Sequence, residues 1–182
     1  PVVVGDWVRL SLSKGETIGL VKEVLPRANY IIRKSTKLSK SYQIIAANMD
    51  QLILIVTIIQ PVTYLEFIDR YLVSAEAYNI PAILLINKTD LYGDPDMEKL
   101  SAWKQIYESI GYPVLSSSLV IGGIPELLES FVKNRVTLLA GVSGVGKTSL
   151  INALEPQLNL KTREISDFHK SGKHTTTFAE MF

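Results

Sequence analysis

Gly141-Val142-Ser143-Gly144-Val145-Gly146-Lys147-Thr148 combines three glycines with a cation and a hydroxyl, a set of residue types suited to holding phosphate. It fits G-x-x-x-x-G-K-[ST] at every position. Glycines at 141, 144 and 146 let the backbone turn so that successive N–H groups converge on phosphate oxygens. The helix expected to follow, with Ser149 in its first turn, adds unpaired donors and a dipole that favour anions. Lys147 is expected to reach the β- and γ-phosphates, a catalytic as well as a binding role, and the Thr148 hydroxyl to hold Mg²⁺. A ligand-free Gly-rich turn is the competing reading; a strand before the loop and a helix after it weigh against that. The second reactive set is Asn87-Lys88-Thr89-Asp90. A carboxylate at Asp90 can accept two parallel hydrogen bonds from N1–H and the exocyclic amine of guanine. Adenine offers neither donor pair and would leave the carboxylate unpaired, which is costly. Lys88 can lay its stem over a base, and Asn87 can tie this loop to the phosphate loop. Taken alone, the tetrapeptide is equally a polar turn capping the next helix.

Order along the chain adds information. In ordinary Ras-like GTPases the phosphate loop precedes the base reader; here Asn87–Asp90 comes before Gly141–Thr148. Two motifs of one nucleotide site in reversed order imply a circularly permuted GTPase. Permutation preserves a core when the original termini lie close together. Ser116-Ser117-Ser118 sits where GTPases often carry a segment whose backbone contacts guanine O6, and Ser117 and Ser118 are assigned to the nucleotide on that basis. A plain strand-to-loop turn explains the serines nearly as well. Beyond the phosphate loop, Gly172-Lys173-His174-Thr175-Thr176-Thr177 is polar and glycine-bearing, as a switch loop would be. Thr176 is the choice for a second Mg²⁺ ligand that senses the γ-phosphate, with Thr175 and Thr177 close behind. His174 is assigned as the residue that orients or deprotonates the attacking water. An exposed histidine without a role is the alternative. The D-x-x-G element of a second switch does not occur after it, and is expected beyond Phe182.

These residues need strands and helices to present them. Ile83–Ile86 is an unbroken apolar run, as in a strand buried on both faces of a parallel sheet, and it ends at Asn87. Leu52–Ile59, Tyr112–Leu115 and Val136–Ala140 read as further strands. Helices are expected over Pro61–Tyr78, Met97–Ile110, from Gly122 with Pro125 in the first turn, and over Thr148–Leu154. The fold class is α/β: a mostly parallel sheet with flanking helices. Ahead of it, Val2–Leu10, Thr17–Val24 and Asn29–Lys34 read as short strands of a small OB-like β-barrel whose initial strand lies before Pro1. The expected domains are 1–38, partial OB-like, and 39–182, the permuted GTPase domain, with a polar linker near Lys34–Tyr42.

Apolar content of 47% and charged content of 20% describe a soluble globular protein, and no apolar run approaches the ~20 residues that span a bilayer. Zero cysteines exclude disulfides and Cys-based zinc sites in this stretch. The net charge of +1 hides a basic N-terminal third and an acidic middle. Arg9, Lys14, Lys22, Arg27, Arg33, Lys34, Lys37 and Lys40 are placed to track phosphates, with Trp7 or Tyr30 stacking on bases. The alternative makes both aromatics core residues and the lysines a solvated face.

Taken together, the chain resembles the circularly permuted small-ribosomal-subunit biogenesis GTPases of bacteria. The residues carrying the resemblance are Val4–Val8, Ala46–Gln51, Asn87–Asp90, Gly141–Ser149 and Gly172–Thr177, in that order. The resemblance implies an OB barrel, a permuted GTPase domain and a C-terminal zinc-binding domain, with Zn²⁺ confined to that last domain. It implies GTP/GDP and Mg²⁺ as ligands, slow GTP hydrolysis stimulated by the 30S subunit, and contact with its 16S rRNA during late maturation. A cytoplasmic monomer without membrane contact is expected. Two rival readings stay open: an RNA-binding module with a catalytically weak G domain, and an ATP-using P-loop enzyme.

Overall fold

The computed structural model describes residues 1–12, 18–34, 42–121, 123–161 and 179–182. The chain divides into two compact units, one holding Pro1–Met49 and the other beginning at Asp50. In the first unit, β1 (Val8–Ser11) pairs antiparallel with β2 (Leu20–Val24), and β3 (Tyr30–Lys34) with β4 (Tyr42–Ala47). Both pairs carry a register shift, at Arg9/Leu10 and at Ile31/Ile32, and Val4 bridges Ala46. Among the described residues these are two separate two-stranded sheets, and no closed barrel forms. Because β4 belongs with β3, residues 42–49 pack in the first unit, although 39 onwards read from sequence as part of the nucleotide domain.

Side chains tie this unit together. Arg27 Nε donates to Asp6 Oδ1 at 2.6 Å and Nη2 to Oδ2 at 2.8 Å, a two-pronged pair with the carboxylate out of solvent. That pairing holds the Asp6 carboxyl below its usual range. Asn29 closes a second brace, donating to Met49 C=O at 2.7 Å and accepting from Met49 N–H at 2.8 Å.

The second unit is built on a four-stranded parallel sheet in the order β7-β6-β5-β8. β5 (Gln51–Val56) lies inside it, and its residues from Leu52 to Val56 are wholly buried. Helix α1 (Leu65–Ala77) leads to β6 (Ala82–Ile86), α2 (Asp94–Ser109) to β7 (Val114–Ser116), and α3 (Glu126–Val132) to β8 (Thr137–Ala140). The last helix, α4 (Lys147–Leu154), follows β8. Continuous apolar strands with no polar alternation belong in a sheet covered on both faces, as here. Helix α1 begins four residues later than the apolar spacing alone predicts. Thr57 and Thr63 close the intervening loop, with Thr63 N–H donating to Thr57 C=O at 3.0 Å and Thr57 N–H to Thr63 Oγ1 at 3.1 Å. The buried Gln51 amide, at the start of β5, donates to Phe131 C=O at 2.6 Å and Thr137 Oγ1 at 2.9 Å, registering β5 against β8.

Candidate nucleotide site

The chain runs from β5 outward to β6 and β7, then reverses and crosses beyond β5 to β8. In an open α/β sheet such a reversal leaves a crevice past the carboxyl ends of the strands. The glycine-rich loop 141–146 follows β8 at this crevice, and the Asn87–Asp90 loop follows β6 on the other side of β5.

Two glycines hold the phosphate loop where it is. Gly141 has φ +148°, and a Cβ there would collide with the Ile55 carbonyl of the neighbouring strand. Gly146 caps α4 with φ +106°, and a Cβ there would strike Nδ2 of Asn87. Val145 turns inward and is fully buried with Ile53, Ile83, Leu85 and Leu150, while Ser143 and Gly144 stand exposed at the tip. Lys147 Nζ donates to Gly141 C=O at 2.9 Å and Val142 C=O at 2.8 Å, curling over its own loop. Burial lowers its pKa from the ordinary lysine value. Thr148 is half-buried in the first turn of α4, and Ser149 beside it is exposed.

Asn87 joins the two loops. It is 2% exposed, and its Nδ2 donates to Val145 C=O at 2.8 Å while its Oδ1 accepts from Ser117 Oγ at 3.0 Å. Both ends of the amide are thus satisfied by the phosphate loop and by the loop after β7. Lys88 takes a left-handed conformation, φ +66°, which turns the chain out of β6 into a 3₁₀ turn over Thr89–Leu91. Its Nζ donates to Gln60 C=O at 2.6 Å; desolvation lowers its pKa, against the opposing pull of Asp90. Asp90 is exposed and accepts from Ser118 Oγ at 2.6 Å. Beside these residues lies an open cleft of about 370 Å³, lined by Thr89, Asp90, Ser117, Ser118, Ile121 and Pro125. Its size suits a small organic ligand, and it sets one carboxylate and several Ser and Thr side chains against two apolar ones.

The structure therefore brings together Asn87, Lys88, Asp90, Ser117 and Ser118, and links them to Gly141–Ser149 through one amide. His174, Thr175, Thr176 and Thr177 lie outside the described residues. Tyr92 and Gln60 were not singled out in the sequence. Tyr92 Oη accepts from Ile58 N–H at 2.9 Å and donates to Asn87 C=O at 2.7 Å. Nothing in the spacing pairs a tyrosine with an amide so far upstream. Among the described residues no group of three or more His, Cys, Asp or Glu side chains is placed to hold a metal, and no helix is long and apolar enough to cross a membrane.

A parallel sheet with a glycine-rich phosphate loop at its reversal and an N-K-x-D loop one strand away, in this chain order, is a circularly permuted P-loop GTPase fold. The sequence model of the RsgA GTPase family matches residues 24–182, and the chain belongs to that family. A relative from Bacteroides fragilis, named small ribosomal subunit biogenesis GTPase RsgA, is 48% identical over 182 residues. One of the same name from Phocaeicola vulgatus is 47% identical. Each alignment covers all of this chain and 58% of the relative, so the chain spans under two thirds of their length. Among solved structures, YjeQ from Thermotoga maritima is similar with a TM-score of 0.71 and 35% identity over 90% of this chain and 54% of that one. YloQ, described as a circularly permuted GTPase, is similar with a TM-score of 0.63 and 31% identity, covering 86% of this chain and 51% of its own.

Proposed function

We propose that this chain is the nucleotide-binding part of a GTPase that hydrolyses GTP to GDP and phosphate, is stimulated by the small ribosomal subunit, and acts in late maturation of that subunit. The observation that carries the reading is the Asn87 amide, buried and bonded to both flanking loops. It ties the N-K-x-D segment to the glycine-rich loop, which supports reading them as one site for a guanine nucleotide spanning base to phosphate. The names of the relatives supply the ribosomal context.

In this reading Asp90 accepts from N1–H and the 2-amine of guanine, and the loop at Ser117 and Ser118 faces the base edge. Gly141–Ser149 wraps the phosphates. Lys147 leaves the carbonyls of Gly141 and Val142 for phosphate oxygens, exchanging two neutral acceptors for charged ones. Mg²⁺ fits a site with few protein ligands, because it keeps waters and takes substrate oxygens; Thr148 and Thr176 are the hydroxyls assigned to it. Bound there, it neutralises charge on the transferred phosphoryl group. His174 is assigned to the attacking water.

The 16S rRNA is the proposed anionic partner of the first unit, which we read as part of an OB-like barrel spanning 1–38. Trp7 is 68% exposed, open to stacking instead of filling a core; Arg9, paired with Glu23, is exposed just after it, and Lys22 is exposed on the paired strand β2. The protein acts in the cytoplasm as a monomer, and Zn²⁺ belongs to a further domain of the family. Hydrolysis by the full-length protein, measured with and without purified small subunits, tests the proposal. Stimulated turnover that falls in His174→Ala with GDP affinity unchanged is expected. Turnover indifferent to the subunit contradicts the ribosomal role.

A further inference from the structure

The parallel ladder between β5 and β6 ends in an irregular rung. Leu52 N–H donates to Pro81 C=O, and at the far end Asn87 N–H donates to Val56 C=O, both at 2.8 Å. Parallel strands repeat this pattern every second residue. Carried forward from Leu52 and Pro81, the period makes Asn87 C=O the acceptor for Ile58 N–H. That bond is replaced. Tyr92 Oη stands between the two groups, taking the Ile58 proton at 2.9 Å and giving its own to Asn87 C=O at 2.7 Å. A phenol thus serves as one rung of the sheet, spreading the ends of β5 and β6 by the width of a hydroxyl. A second cross-strand tie lies just beyond, from Lys88 Nζ to Gln60 C=O at 2.6 Å.

The rung lies where the base loop begins. Asn87 carries the carbonyl that Tyr92 holds; Lys88 then turns left-handed, and the 3₁₀ turn delivers Asp90 to the cleft. Thr89 N–H reaches Ser117 C=O at 3.1 Å, so the loop is also fixed on its β7 side. Ile58 is 1% exposed, and without the phenol its amide has no water to turn to. Burial pushes the Tyr92 hydroxyl pKa up to about 12, so it keeps its donor proton at any physiological pH.

We infer that Tyr92 is a positioning residue for base recognition: its hydroxyl, inserted between Ile58 N–H and Asn87 C=O, sets the height and tilt at which Asp90 meets the purine edge. The inference rests on the guanine-site reading and goes beyond it in assigning the aim of the loop to a side chain outside the motif. Tyr92 touches no ligand in this scheme, and its hydroxyl bonds to Ile58 and Asn87, not to the glycine-rich loop.

Tyr92→Phe keeps the ring and removes both hydrogen bonds. Titrations in Mg²⁺ with GDP, IDP and inorganic pyrophosphate separate its effects. GDP affinity is expected to fall about tenfold or more, the scale of a lost bond plus a stranded buried amide. The preference for GDP over IDP, which lacks the 2-amine, should shrink in the same variant. Pyrophosphate affinity should stay at the wild-type value, which a general loss of structure would not allow. GDP affinity within twofold of wild type, or an equal drop for pyrophosphate, overturns the inference. Wild-type protein that takes ADP as readily as GDP removes the base site itself, and that result precedes any variant. If Tyr92→Phe does not fold, amide exchange in the unsubstituted protein decides the matter. GDP is expected to slow exchange at Ile58 and pyrophosphate to leave it unchanged; equal slowing by both, or none by either, overturns the inference.

Discussion

Asn87 and Gly146 meet at a distance that leaves no room for a methyl group, and much of the site follows from that contact. The amide must approach closely enough to donate to Val145 C=O, so the residue after Val145 has to lack a Cβ. Gly146 also sits at φ +106°, where a side chain is strained whatever its surroundings. Gly146→Ala is therefore expected to weaken GDP binding by about thirtyfold, on the order of 2 kcal/mol of combined strain and displacement. Isothermal titration measures it; unchanged affinity would mean that the two loops are not held together as described. Asn87→Ala should destabilise the fold by about 1–3 kcal/mol, since it strands the Ser117 hydroxyl and Val145 carbonyl in a buried place. Urea denaturation without nucleotide checks this. At this scale the motif residues were legible because their chemistry requires particular types at particular spacings. The three serines were not. Ser117 is buried against Asn87 and Ser118 reaches Asp90, and which serine faces which partner is decided by how β7 ends, a matter of packing.

Elements differ in how plainly the sequence announces them. β5 and β6 are apolar throughout, and a strand covered on both faces can be read from that alone. β4 was hidden, because the Ser- and Lys-rich stretch before it reads as linker and its own exposed start, Tyr42-Gln43, gives no alternation. Its pairing with β3 depends on residues far enough away that no local pattern shows it. The ion pair between Asp6 and Arg27 was likewise invisible, although it fixes the turn before β1 to the segment between β2 and β3. Arg27→Ala removes both guanidinium bonds and leaves the Asp6 carboxylate only the Val3 N–H, so the first unit is expected to lose stability, read as a lower melting temperature. The pair also predicts a pH dependence. Asp6 has a lowered pKa in the folded state, so its contribution is complete above the ordinary carboxylate value of 3.8 and is lost as pH falls through the lower folded value. Melting curves of wild type and Asp6→Asn should converge in that acid window and diverge above it. Parallel curves throughout would contradict the assignment.

For the whole molecule, the reversed motif order was the most legible feature, because order along the chain is a property of sequence and needs no packing argument. The sheet order β7-β6-β5-β8 explains how reversal is tolerated: each loop still leaves the carboxyl end of its own strand, whichever comes first along the chain. The sequence leads to an expectation of two domains divided after residue 38, and the chain falls into two compact units that divide after Met49. Ligand binding should distinguish the units. Saturating GDP at a hundred times its Kd should stabilise the unit beginning at Asp50 by about 2.7 kcal/mol. Amide exchange should then slow in β6, β8 and α4 and stay unchanged in β1–β4. Protection spread evenly over both units would contradict that division. The most direct test of the central claim, that Asn87–Asp90 and Gly141–Thr148 form one guanine nucleotide site, is calorimetric titration with GDP and ADP in Mg²⁺, repeated on Asp90→Asn. The account predicts GDP binding that ADP does not match, weakened about tenfold or more by the substitution. Equal affinity for the two nucleotides, or a GDP affinity untouched by Asp90→Asn, would contradict it.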